Sequence, residues 1–184
     1  MDFTVNPNGY VCYYRISTGG RQKTNKETGG LPWYRCQQEA CQKFLQKREA
    51  QIIGEFHDIA SGVSVDSRGR SVFRPSFSQA IKTCLDTGAT LFSERVDRIC
   101  RELEIALALE HLGIKIFTID MYELDEEKCN MYNAMAKALA ESRSTPTPRQ
   151  YFGALARATK IQLHPEDILI AEQCHKSGVN YVLA

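Results

Sequence analysis

The sequence predicts an α/β domain: a mainly parallel sheet of about four to five strands flanked by helices. Three observations lead there. Short runs dense in β-branched and aromatic residues alternate with longer amphipathic stretches. Proline and glycine fall where those amphipathic stretches should start and stop. At 184 residues, 43% apolar and 24% charged, the chain can bury one ordinary core but not two comfortable ones. Strands that alternate with helices pair in parallel, because a crossover helix is how the chain returns to add a parallel neighbour.

In chain order, "YVCYYRI" (10–16) reads as a strand and runs into the polar, glycine-rich "STGGRQKTNKETGG". "WYRCQQEACQKFLQKRE" places Trp33, Cys36, Ala40, Cys41, Phe44 and Leu45 at spacings near three and four, which predicts an amphipathic helix. "AQIIGEF" reads as the second strand, and "HDIASGVSVDSRGRSVF" as a polar loop. Pro75 opens a helix through "SFSQAIKTCLDTG", and "ATLFS" is the third strand. "VDRICRELEIALALEHLG" reads as one helix ending at Gly113, and "IKIFTID" as the next strand. "EEKCNMYNAMAKALAESR" predicts a helix that Pro146 and Pro148 interrupt. "PRQYFGALARATK" and "HPEDILIAEQCHKSG" predict two more, and "VNYVLA" a short strand. The expected division is a core over 1–122 and a C-terminal helical segment over 123–184.

Composition excludes several classes. No apolar run approaches membrane-spanning length, and "MDFTVNPNGY" lacks a basic region followed by an apolar one, so no membrane association and a cytoplasmic location are expected. Seven irregularly spaced cysteines give neither a disulfide framework nor a zinc ribbon, and the four histidines are scattered, so no metal is expected. The net charge of +1 conceals basic clusters in "RQKTNK", "RGRSVFR" and "ERVDRICR". Loops of this kind are often only solvated surface. Brought together, they would form an anion site.

In parallel sheets the strand C-terminal ends carry ligand and catalytic groups. Arg15 and Ser17, Asp58, and Ser93 to Arg101 fall at or just past such ends. Arg15 and Ser17 share a face if the strand continues that far. Serine is a weak nucleophile that usually needs a histidine base, and none lies near Ser17 in sequence. Arginines instead match phosphate oxygens and stabilise the added charge of phosphoryl transfer. A serine among arginines points to attack on phosphorus. Each residue also has a plainer role open to it. Ser17 could cap a turn, Asp97 could cap a helix with Arg98 and Arg101 on a solvated face, Arg74 could be an exposed residue, and Gln37 an ordinary helix residue.

"YYRIST" resembles the signature around the nucleophile of the serine recombinase (resolvase/invertase) catalytic domain, and "VDRICR" resembles that family's Leu-Asp-Arg-Leu-x-Arg motif. "FHDIASG", "FRPSF" and "YRCQQEACQKF" resemble its Asp-x-x-x-Ser-Gly loop, its Arg-Pro helix start and its glutamine-bearing first helix, all in the family's order over about residues 10–122. The resemblance implies that Ser17 is the nucleophile and forms a 5′-phosphoseryl link to DNA. Arg15, Arg74, Arg98 and Arg101 would surround the scissile phosphate, and Asp97 would orient the arginines. Gln37 would support the site, and Asp58 would hold the loop carrying the second basic cluster, where Arg68 and Arg70 compete with Arg74 for the carried-over position. No cofactor or metal is implied. The implied partners are double-stranded DNA and either further copies, as a homodimer or tetramer, or a full-length recombinase. Two other readings remain: a catalytically impaired accessory protein that regulates such a recombinase, and a phosphoester hydrolase. Three features depart from the family pattern. The loop from Asp58 to Arg74 is long, Leu139-Ala140 stand where a Glu-Arg pair is expected unless a small gap brings in Glu141 and Arg143, and no recognisable DNA-binding motif follows the catalytic region.

Overall fold

The computed structural model describes residues 5–16, 33–61, 65, 67–69, 71–120 and 146–177. Its centre is the strand β1 (Tyr10–Ile16), buried from Tyr10 to Arg15 because it is paired on both sides and covered on both faces. β2 (Ile52–Ile59) pairs with it in parallel, Arg15 opposite Asp58 and Ile16 opposite Ile59. β3 (Thr90–Ser93) flanks it on the other side, and β4 (Ile116–Thr118) follows, so the four parallel strands run β2-β1-β3-β4. β2 extends three residues beyond the "AQIIGEF" predicted for it, since the register with β1 continues through His57, Asp58 and Ile59. That extension brings Asp58 to a defined place beside Arg15.

Side-chain alternation along β1 sorts the molecule into two layers. Tyr10, Cys12 and Tyr14 face the helix α1 (Trp33–Gln46) and pack with Cys41, Phe44, Leu45 and Phe92. Val11 and Tyr13 face the larger core formed with α2 (Pro75–Thr87), α4 (Leu103–His111) and α5 (Pro148–Thr159). Arg15 is next in the Val11–Tyr13 series, so it lies where the apolar layer ends. α2 begins with proline in its first turn and ends at Gly88 (φ 71), whose N–H donates to Cys84 O at 2.8 Å. The left-handed φ strains any residue with a Cβ there, and a Cβ would come within 2.7 Å of the Asn8 side-chain amide, which would have to move.

The single helix predicted from Val96 to Gly113 is in fact two. α3 is one turn (Val96–Ile99), Cys100 and Glu102 are extended, and α4 starts at Leu103. Periodicity alone cannot detect this break, because apolar spacing persists across it. In a continuous helix the carbonyls of Asp97, Arg98 and Ile99 would accept from the amides of residues 101 to 103. Here buried arginine side chains occupy them.

From the segment after residue 122, α5 joins the main core through Tyr151, Phe152, Ala154, Leu155 and Ala158. Its Ala158 carbonyl accepts from Arg74 N at 2.7 Å, tying that segment to the start of α2. α6 (Pro165–Lys176) lies outside it with Ala171 buried and Glu172 paired to Arg149 at 3.3 Å. The helix predicted within 126–143 and the strand predicted at 179–184 lie outside the described residues. Among the described residues no helix is long and apolar enough to cross a membrane, and no cluster of His, Cys, Asp and Glu could hold a metal.

Candidate active site

The C-terminal ends of β1, β2 and β3 converge on one edge, with α3 immediately after β3. Arg15 is fully buried there. Its Nε donates to Arg98 O at 3.0 Å, its Nη1 to Ala60 O at 2.9 Å, and its Nη2 to Asp97 O. Gln37, buried on α1, grips the Arg15 backbone from the other side: its Oε1 accepts from Arg15 N at 3.1 Å and its Nε2 donates to Arg15 O at 3.2 Å. The last residues of β1 are therefore held on both faces. Ser17, the next residue of the same parity, lies outside the described residues, as does Arg70.

Arg74 is the second fully buried guanidinium. Its Nη1 donates to Ile99 O at 2.6 Å and its guanidinium carbon lies 3.9 Å from the centre of the Phe77 ring. Its Nε and Nη2 are buried without a hydrogen-bond partner. Asp58 contacts the start of α2. Its carboxylate accepts from Ser76 N (3.2 Å), Phe77 N (2.9 Å) and Tyr13 Oη (2.9 Å), which places negative charge at a helix N-terminus. Tyr13 went unrecognised in the sequence, where it counted only as part of an apolar run. Its ring packs on Phe77 at 4.9 Å while its hydroxyl reaches Asp58. Burial, together with Asp58, pushes that hydroxyl far above its ordinary titration range.

Above these buried groups lies a second set. The Asp97 carboxylate, almost buried, meets Arg95 Nε at 3.1 Å, Arg98 Nη1 at 3.4 Å and Arg101 Nη2 at 3.5 Å. The three arginines are partly open to solvent, with 56%, 25% and 44% of their side chains exposed. Arg95 was also missed. It sits inside "ERVDRICR", and only the turn of α3 reveals that it shares Asp97 with Arg98 and Arg101. Arg68 is exposed in the turn closed by the Val65–Ser71 bridge.

Arg15, Arg74, Arg95, Arg98 and Arg101 thus gather at one edge; among the described residues the Asp97 carboxylate pairs with the last three, and Asp58 and a buried carboxylate oxygen of Glu102 lie close by. That excess of positive charge registers at Arg15. Burial first, then the nearby Arg101, Arg74 and Arg98 charges, lower its pKa to about 10. A cluster of guanidiniums at an edge where Arg95, Arg98 and Arg101 stay partly open to solvent favours an anionic ligand.

The family model of the resolvase N-terminal domain matches residues 10–160. The chain belongs to the resolvase family. Membership puts this resolvase domain among proteins of DNA recombination. The matched span runs beyond the expected core boundary at 122 and includes α5. No curated protein matches the chain. Solved structures with a similar course include the C-terminal catalytic domain of ISC1926 TnpA, an IS607-like serine recombinase, at 13% identity over 91% of this chain and 96% of that one, TM-score 0.43. Another is the N-terminal catalytic domain of TP901-1 integrase, at 17% identity over 71% and 91%, TM-score 0.46. A third is the first open reading frame of transposon ISC1904 from Sulfolobus solfataricus P2, at 14% identity over 92% and 97%, TM-score 0.40.

Proposed function

We propose that this resolvase domain cuts and rejoins DNA through Ser17. The Ser17 hydroxyl oxygen attacks the scissile phosphorus as the bond to the 3′ oxygen breaks. The serine loses its proton, the departing oxygen gains one, and a 5′-phosphoseryl link remains. Attack by another strand's 3′ hydroxyl reverses the step, so phosphodiester bond energy is kept and no nucleotide is consumed. Double-stranded DNA is the substrate. The protein acts as a dimer or tetramer, or beside a full-length recombinase that supplies sequence-specific binding.

The observation that best supports this reading is the Asp97-centred arginine rim at the sheet edge where β1 delivers the chain toward Ser17. Arg98 and Arg101 are the groups assigned to the phosphate, and Asp97 orients them. Arg15 and Arg74 add positive potential from beneath, while Gln37 and Asp58 support the strand ends. Arg68 and Arg70 are assigned to outer DNA contact. The test is to incubate the protein with supercoiled DNA carrying candidate sites and resolve protein–DNA adducts on denaturing gels. A covalent adduct from the wild type and none from Ser17→Ala is expected; equal adduct from both would refute the assignment.

A further inference from the structure

The α1 side of β2 carries a group of side chains that the arginine site does not use. The rings of Tyr34 and His57 stack in parallel, their centroids 4.6 Å apart and their planes 7° from one another. Tyr34, in the first turn of α1, packs against the smaller core and is thereby fixed. His57 lies outside it and is exposed. Among the described residues His57 has no ring partner besides Tyr34, no hydrogen bond and no ion pair. Ile59, next on the same face of β2, is 55% exposed. Arg35 adds a cation, its guanidinium carbon 5.5 Å from the centre of the Tyr34 ring. Glu55, the preceding residue of that face, already accepts from Tyr14 Oη, Gln38 and Gln42.

Strand register puts this surface beside the arginine site. His57 pairs opposite Tyr14 and Asp58 opposite Arg15, so the stack is one strand residue from the floor of the site. Alternation turns His57 toward α1, as it does Tyr14, while Asp58 faces α2. Gln37, which holds the Arg15 backbone, follows Tyr34 by three residues on α1. An aromatic pair that only packs gains most by being drawn into a core, where its area leaves water. Here the outer ring and the aliphatic side chain next to it stay wet, at the end of the sheet where the arginines gather.

We propose that His57, backed by Tyr34 and flanked by Ile59, is a stacking platform for an unpaired nucleobase of DNA. This inference rests on the strand-exchange reading given above for the arginine site. A strand end that moves from one complement to another leaves the bases beside the break unpaired on the way. An unpaired base exposes two π-faces to water, and an aromatic side chain covers one with a gain that depends little on sequence. Tyr34 already holds the imidazole in one plane, so little side-chain freedom is lost when a base lands on it. Ile59 offers apolar surface beside the ring, and Arg35 supplies positive charge near the stack for the phosphate attached to the base.

The experiment compares two short random-sequence duplexes, one fully paired and one with a single unpaired 2-aminopurine bulged from its centre. The wild-type protein should bind the bulged duplex about tenfold more tightly, the order expected from stacking one base, and should quench its fluorescence. His57→Ala should bind both duplexes alike. His57→Phe should keep the preference, because a phenyl ring retains the stacking face without the imidazole's hydrogen-bonding groups. A preference retained in His57→Ala, or lost from His57→Phe as fully as from His57→Ala, overturns the platform. A second readout needs only the wild type and serves if a variant does not fold. The ring protons of His57 should move upfield on saturation with the bulged duplex and stay in place with the paired one; unmoved signals with the bulged duplex refute the inference. Equal binding of both duplexes by the wild type also refutes the platform, while strand exchange is judged separately by the Ser17 adduct. Binding to neither duplex refutes the DNA reading and the platform with it.

Discussion

The buried floor and the open rim of the site use the same side chain for opposite ends. On the floor, Arg15 and Arg74 are sealed from solvent; Arg15 directs its donors to three backbone carbonyls, whereas Arg74 gives one to Ile99 O and keeps Nε and Nη2 buried without a partner. On the rim, Arg95, Arg98 and Arg101 share one carboxylate and keep surface open. A guanidinium in a dry site carries a large desolvation cost unless acceptors or an anion satisfy its donors. One at the surface loses little on leaving its partner and can turn to a ligand.

The division between floor and rim is most exposed to refutation at the rim. Arg98→Ala should lower the rate of adduct formation by about a hundredfold to a thousandfold, the usual cost of removing one donor from a developing oxyanion. Its unfolding midpoint in urea should stay close to that of the wild type. A large loss of stability with normal adduct rate would reverse the assignment of floor and rim.

The next effect belongs to the floor. Asp58→Ala strands the Ser76 and Phe77 amides and the Tyr13 hydroxyl in a buried place. We expect a loss of about 3 kcal/mol in equilibrium unfolding, since each stranded buried group costs of order one or more. A loss below that of an ordinary surface substitution would show that water reaches this corner.

Arg101→Ala should be nearly silent in stability, within about 0.5 kcal/mol, because its pairing with Asp97 is partly exposed. Binding to a random-sequence duplex should nonetheless weaken and show a shallower salt slope. A change in stability comparable to Asp58→Ala would move Arg101 to the floor.

The smallest effect is a pH dependence. Burial pushes the Cys100 thiol up from 9.0 to about 11, against the lowering influence of Arg74. Between those values the unfolded chain gives up the thiol proton first, so stability present below pH 9.0 is lost as pH rises toward about 11. Cys12 and Cys84 act in the same sense, both raised to about 12 by burial. Arg15 has the opposite sign: lowered from 12.5 to about 10, it adds stability only as pH rises above 10. Urea midpoints should therefore fall first between about pH 9 and 10, and Cys100→Ala should shallow that fall relative to its own midpoint at neutral pH. Thiol alkylation at pH 8 should likewise spare Cys100 while reaching the half-buried Cys36.

Much of this protein could be read without coordinates. Alternation of apolar runs and amphipathic stretches leads to a parallel α/β sheet, because strands that bury both faces need a crossover to return. Pro75 and Gly88 mark α2 for local steric reasons, and "YVCYYRI" declares the central strand by its composition. The order of "YYRIST", "FRPSF" and "VDRICR" likewise carries the family. These features are local, or depend only on sequence order.

The remainder is non-local and needed the folded chain. The acceptors of Arg15 lie 45, 82 and 83 residues away, so nothing around position 15 declares that its charge is buried against carbonyls. The break after Ile99 follows from the same contacts, since the apolar period runs on unbroken while the carbonyls are claimed by side chains from β1 and the start of α2. Tyr13 and Arg95 join the site for that reason too. One reaches Asp58 across paired strands, and the other meets Asp97 because a single turn brings them side by side. Sequence order decides which residues arrive at the sheet edge. Burial, set by what packs above and below them, assigns each its work.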